Sequence, residues 1–198
     1  DTLFEALDRW GLRAQAGMTL MDRDAPPENL LAPAPALAAC RTHVARWHGH
    51  DDDRLRVVLT PRFAISCTPE MLAGVGALAA ELGVGVQTHI SENHDEIAYT
   101  AELFADSADY LGVYEDHGVL PAGTLLAHCI HLSESEWSRL VAAQAVVVHC
   151  PDSNFFLGSG VMALDAALER GARVCLGTDI GGGRAFSLRR VAARAYDA

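Results

Sequence analysis

Short apolar runs alternate with amphipathic ones along almost the whole chain, and this alternation limits the possible folds more than any other feature. Strand-like runs read as RAQAGMTLM (Arg13 to Met21), LRVVLT (Leu55 to Thr60), GVQTHI (Gly85 to Ile90), TLLAHC (Thr124 to Cys129), AVVVHC (Ala145 to Cys150) and RVCLGTD (Arg173 to Asp179). They are rich in Val and Leu and apolar on both faces, as expected of strands in a covered parallel sheet. Helical patterns fall between them, over Leu3 to Trp10, Pro35 to Trp47, Pro69 to Leu82, Asp95 to Phe104, Glu134 to Ala143 and Ala163 to Arg170. Thr68 before Pro69 is a helix-start signal, Gly83 and Gly171 are stops, and Ser133 opens a capping box with Glu136.

Strand then helix, repeated six times, predicts an α/β fold with parallel strands. Polar residues collect at or just past the carboxyl ends of the strands: Thr60-Pro61-Arg62-Phe63, His89 with Glu92, His128, His149 and Asp179. Open α/β sheets and (β/α)8 barrels both place their sites at that edge. No glycine-rich phosphate loop follows the first strand, and the glycines of GTDIGGG come after the carboxylate, so a barrel is preferred. A closed barrel needs eight strands and roughly 250 residues. The 198 residues here show six strands and begin inside a helical pattern. The expected architecture is therefore an incomplete (β/α)8 TIM-type barrel, about six of eight βα units, forming one partial barrel domain over residues 1–198 with no second domain. Two strands lying outside the chain is a simpler account than an open sheet.

Composition narrows the class further. Half of the chain is hydrophobic, enough for a sizeable core. The net charge is −11 without any basic cluster, which argues against nucleic acid or an anionic membrane as the main partner. No apolar run approaches about 20 residues, so no transmembrane helix is expected, and DTLFEALDRWG reads as an amphipathic helix and not a signal peptide. Five cysteines without CxxC spacing fit reduced core thiols in a cytoplasmic protein better than a disulfide framework.

In a barrel, His89, His128 and Asp179 would end separate strands around one mouth. Two imidazoles and a carboxylate suit a zinc-like ion, which lowers the pKa of bound water towards neutrality. Glu92, a turn beyond His89, is placed to move protons when an amine is expelled. The bland alternative is a histidine satisfied within the core, the commoner case for His89 taken alone. Arg62 beside Phe63 can grip a planar polar ligand, guanidinium to carbonyl and ring to ring; a surface ion pair plus a core phenylalanine is the alternative. His149 suits either a substrate contact or a structural hydrogen bond. His43, His48, His50, His94, His117 and His131 read as solvent-facing, and Asp51-Asp52-Asp53 as a solvated turn.

TPRFAISC, QTHISENHDE, LLAHCIHLS, VVHCPDSNFFLGSG and LGTDIGGG together resemble the guanine deaminase family, within the deaminase and chlorohydrolase branch of the amidohydrolase superfamily. The resemblance runs from TLFEALDRWGLRAQAGMTLMDRDAP to GTDIGGGRAFSLRR and corresponds to the third through eighth strands of a metal-dependent hydrolase barrel. It implies hydrolytic deamination of guanine to xanthine and ammonia, with zinc as cofactor, guanine as the small-molecule partner and a homodimer as the common assembly. By resemblance His89 and His128 are zinc ligands, and Asp179 both binds the metal and handles the proton of the attacking water. Glu92 is similar to the glutamate that protonates the purine at N3 while C2 is attacked. Arg62 and Phe63 match the pair that holds the base at its O6 edge and ring face; His149 is a further candidate substrate contact without a metal role. The chain departs from the family in one respect: the first-strand HxH pair, two further zinc ligands, is absent. HGH at His48 to His50 has the spacing but follows a helix and precedes DDD, so it reads as a loop coincidence. The implied consequence is weak zinc binding and little activity for these 198 residues alone. The rival readings are a sibling deaminase or chlorohydrolase acting on another heterocycle, and an inactive degenerate barrel.

Overall fold

The computed structural model describes residues 1–198. Seven strand segments form one all-parallel sheet: β1 (Ala14–Ala16), β2 (Thr19–Leu20), β3 (Leu55–Pro61), β4 (Gly85–Ile90), β5 (Leu125–His128), β6 (Val146–His149) and β7 (Arg173–Leu176). β1 and β2 both pair with β3, and β4 to β7 follow in chain order. The connecting helices are α1 (Thr2–Arg9), α2 (Pro33–Trp47), the single turn α3 (His50–Asp53), α4 (Pro69–Leu82), α5 (His94–Leu103), α6 (Tyr110–Asp116), α7 (Glu134–Ala142), α8 (Pro151–Leu157), α9 (Leu164–Glu169) and α10 (Leu188–Asp197). This is a half-barrel of βα units, in agreement with the expected incomplete barrel. No helix is long and apolar enough to cross a membrane.

Local chemistry explains where the helices begin. Thr68 Oγ1 accepts from Met71 N at the start of α4, and Gly83 ends that helix in the left-handed region at φ +64°. Ser133 and Glu136 form the expected capping box of α7, and Asn93 with Glu96 forms another at α5. Each such cap contributes about 1 kcal/mol. Glu136 also accepts from Leu111 N, which ties α7 to α6.

Two strand expectations change. The first run is broken in the middle: Ala14 pairs with Leu55 and Thr19 with Thr60, the same register on either side of a gap. At Gly17 a Cβ would overlap the Val58 carbonyl oxygen, so the backbones approach too closely for any side chain. The strands are also covered on one face only. Leu59, Val86, Leu126 and Val147 pack under the helices against Leu72, Val75, Leu111, Tyr114 and Leu140. Their alternate neighbours Gln87, Leu125, Ala127 and Val148 line an open cavity of about 390 Å³ on the concave side. Within this chain the sheet is open, and nothing covers that face.

A smaller cluster, Phe4, Trp47, Leu55 and Val57, seats α1 against α2, with the Phe4 and Trp47 rings stacked at 5.4 Å. The acidic turn at Asp51–Asp53 has left-handed backbone throughout, and Arg54 and Arg56 pair with it. Four cysteines are buried as expected, whereas Cys175 on the edge strand β7 is exposed. His43, His48, His117 and His131 are half-buried and not solvent-facing. His48 Nδ1 lies 3.2 Å from the Val57 backbone, and His131 Nε2 lies 2.9 Å from Ser159 O.

Gly17→Ala is expected to lower stability by about 1–3 kcal/mol, because backbone rather than a flexible side chain occupies the space. Thermal unfolding of the variant beside the parent chain measures this.

Candidate active site

The parallel order brings the predicted residues to one rim. Arg62 and Phe63 directly follow β3, His89 is the penultimate residue of β4, Glu92 lies two residues past that strand, and His128 ends β5. Asp179 lies three residues beyond β7. Arg62, Phe63, His89, Glu92, His128 and Asp179, with Leu157 and Gly182, line one cavity of about 210 Å³. The larger cavity on the concave face meets it, and the residues common to both are His89, His128 and Asp179.

His128 reaches this cavity against strand alternation. Leu125 and Ala127 face the concave side, so parity assigns His128 to the helix-covered face together with Leu126. The backbone turns left-handed here, with φ +74° at His128 and +53° at Cys129. The ring then lies against His89, centroids 5.4 Å apart and planes 25° from parallel. Left-handed residues also mark the exits at Ser91 (φ +49°) and Asp179 (φ +44°). Backbone hydrogen bonds hold these turns, with Cys129 N donating to Ile90 O and Ile130 N to Ser91 O.

Both imidazoles are anchored through Nδ1. His89 Nδ1 donates to the Arg62 carbonyl at 2.6 Å, and His128 Nδ1 lies 2.9 Å from Asn154 Oδ1. A carbonyl oxygen only accepts, so Nδ1 carries a proton, and in the neutral ring Nε2 keeps the lone pair. His128 Nε2 is 3.5 Å from Glu92 Oε2. Ser159 Oγ donates to the other Glu92 oxygen at 2.9 Å, and the Glu92 backbone N–H is held by Glu96 Oε2 at 2.7 Å. Burial, followed by the neighbouring His128, holds His89 below the usual imidazole pKa. Arg62 is exposed, and its guanidinium lies 5.1 Å from the centre of the Phe63 ring.

The donor chemistry fits a borderline divalent ion: two imidazoles with Nδ1 tied to oxygen acceptors, and a carboxylate on the same wall. Among themselves, however, the side chains of this chain do not bring three His, Cys, Asp or Glu groups to single-ion spacing. His149 stands apart. It is buried, neither ring nitrogen has a hydrogen-bond partner, and it does not line the cavity that the other predicted residues share. No sequence signal marks Asn154, Ser159, Tyr114 or Arg23 as part of the site. Asn154 and Ser159 lie in the HCPDSNFFLGSG run, but nothing local shows that their partners are His128 and Glu92.

An open parallel sheet with histidines, a glutamate and an aspartate on its carboxyl-end rim is the layout of a barrel hydrolase. The chain belongs to the amidohydrolase family, whose profile matches residues 1–197. The guanine deaminase of Escherichia coli (strain K12) is 38% identical over 197 residues, 99% of this chain and 44% of the relative. That of Dictyostelium discoideum is 34% identical over 191 residues, 96% of this chain and 42% of the relative. A crystal structure of guanine deaminase from C. acetobutylicum, with guanine in its active site, superposes with a TM-score of 0.96 at 36% identity. That match covers 99% of this chain and 47% of the other. The chain thus spans a little under half the length of the relatives it matches.

Burial holds His149 as well as His89 below the usual value of 6.5, with His128 as the second cause in each case. The folded state therefore prefers neutral rings, and the unfolded chain takes up protons first as the pH falls. Their contribution to stability is complete above about pH 6.5 and is lost as the pH drops through and below that value. Urea unfolding of the metal-free chain between about pH 7.5 and pH 5 is expected to show this decline, and His149→Gln to make it shallower.

Proposed function

We propose that this chain supplies the greater part of the catalytic rim of a zinc-dependent enzyme that hydrolyses guanine to xanthine and ammonia. The observation that carries the reading is the shared cavity. One cation backed by an aromatic ring faces the same space as two Nδ1-anchored histidines and two carboxylates. The similarity to guanine deaminases over 99% of the chain supports guanine over other heterocycles.

His89, His128 and Asp179 would be this chain's ligands to a zinc ion, which when bound would supply the Lewis acidity that makes water nucleophilic at neutral pH. The chain's own groups do the rest. Arg62 donates to the O6 edge of the base, and Phe63 lies against the ring face, so one cation and one ring fix a flat neutral substrate. Asp179 takes the proton of the attacking water. Glu92 delivers a proton to N3 as C2 becomes tetrahedral, and Ser159 fixes the rotamer from which it does so. Asp179 then passes the water proton to the C2 amino group, and ammonia leaves as the C2 hydroxyl gives its proton to Glu92, which forms the carbonyl and restores both carboxyl groups to their starting state. His149 takes no part in this scheme. The 198 residues contribute two imidazoles and one carboxylate towards zinc, so in isolation they bind it weakly and turn over little or no guanine.

Assay of the full-length, zinc-loaded protein for conversion of guanine to xanthine tests the reading; absence of turnover in the metal-replete protein rejects it. Arg62→Ala is expected to raise KM for guanine by roughly 10- to 100-fold, the loss of a charge-assisted hydrogen bond to the base. An unchanged KM favours a related deaminase acting on another ring. Glu92→Gln should lower kcat by about 10²- to 10⁴-fold, with a smaller effect on KM.

A further inference from the structure

The segment carrying Arg62 and Phe63 is gripped by a residue remote in sequence. Arg23, in the loop after β2, aims its guanidinium at three carbonyls of the turn at Ala64–Ser66 and its exit. Nε donates to Ile65 O at 3.0 Å, and Nη2 donates to Ala64 O at 3.0 Å and Cys67 O at 2.9 Å. The group lies 5.1 Å from the centre of the Phe104 ring, and its side chain is 21% exposed. Adjacent backbone reinforces the grip. Asp22 N and Arg23 N both donate to Ser66 O, and the Asp22 carboxylate accepts from Thr68 N and Thr68 Oγ1.

The backbone just before this turn is joined to the rim at the Arg62 carbonyl. Arg62 O accepts from His89 N at 3.2 Å, His89 Nδ1 at 2.6 Å and Thr88 Oγ1 at 3.2 Å. From the other side the buried Tyr114 hydroxyl accepts from Ala64 N at 3.1 Å and donates to His89 O at 2.6 Å. One short stretch of backbone therefore places the Arg62 cation and the Phe63 ring and also sets the rotation of the His89 imidazole. Arg62 is exposed and pairs with no carboxylate; beyond the Phe63 ring its guanidinium has only a weak contact, Nη1 to Met21 Sδ at 3.8 Å, so its direction follows chiefly from that backbone.

We propose that Arg23 is a positioning residue: its guanidinium locks the turn after β3 and so sets, together, the affinity for the base and the readiness of His89 to bind metal. The proposal rests on the reading of Arg62 and Phe63 as base contacts and of His89 as a zinc ligand. A planar fork spanning three carbonyls is what lysine cannot reproduce, because its ammonium is a compact point charge on a flexible stem.

The test uses the full-length protein with Arg23→Lys and Arg23→Ala. KM and kcat for guanine are measured at saturating zinc, zinc affinity by chelator competition without substrate, and thermal melting as the control for folding. Both variants are expected to raise KM about tenfold and to weaken zinc binding by about tenfold, the lower end of what loss of an outer-shell partner costs. Under saturating conditions kcat should stay within about threefold. Arg23→Lys behaving like Arg23→Ala assigns the effect to fork geometry and not to charge. A lower melting temperature with KM and zinc affinity unchanged overturns the proposal. Failure of both variants to fold also overturns it, since Arg23 would then be a stability element. A parent protein that binds zinc but does not deaminate guanine fails the functional reading instead, and the zinc measurement still decides the role of Arg23.

Discussion

Parallel pairing from β1 through β7 directs every strand towards the same rim, and the site depends on that directional constraint. Arg62, His89, His128 and Asp179 lie between 27 and 51 residues from their sequence neighbours in the set, yet they share one cavity because each sits at a carboxyl end. An antiparallel neighbour would have sent one of them to the opposite edge. The helices keep the pairing parallel by returning the chain to the amino end each time, and the apolar residues beneath them hold the return path.

Strand direction alone would still leave the groups badly aimed. The exits at Ser91, His128 and Asp179 adopt left-handed backbone that non-glycine residues avoid, at a cost of order 1 kcal/mol or more each. That conformation turns His128 from the helix-covered face onto His89. Hydrogen bonds to fixed acceptors then complete the aim, Arg62 O for His89 and Asn154 Oδ1 for His128. Strain at the exits and polar anchoring behind them belong to one arrangement: the first points the rings inward and the second stops them rotating.

Much of the scaffold was legible in the sequence because its signals are local. Strand runs, the Thr68 and Ser133 caps and the glycine stops each depend on residues a few positions apart. The features the sequence leaves hidden depend on contacts from elsewhere. The break at Gly17 exists because the Val58 carbonyl approaches it. α6 lacks a strong local signal, because all of Tyr110–Tyr114 is buried and its periodicity is masked. α8, seven residues long, is too short to show a helical period, and His43, His48, His117 and His131 are drawn inward by neighbours the sequence does not announce. The candidate donors and base contacts were legible as strand-end polar residues, whereas the groups that hold them were not.

What the sequence determined by itself was the alternation, the parallel α/β class and the list of side chains that would reach one edge, since periodicity and position within a run are short-range properties. The tertiary structure alone decided which way those side chains face and what holds them there. Tyr114 meets Ala64 across 50 residues and Arg23 meets Cys67 across 44, and such hydrogen bonds depend on the path of every loop between. It also decided that His149, a strand-end histidine like His128, stays buried outside the cavity: β6 continues to His149 with ordinary extended geometry, and no left-handed turn swings the ring inward.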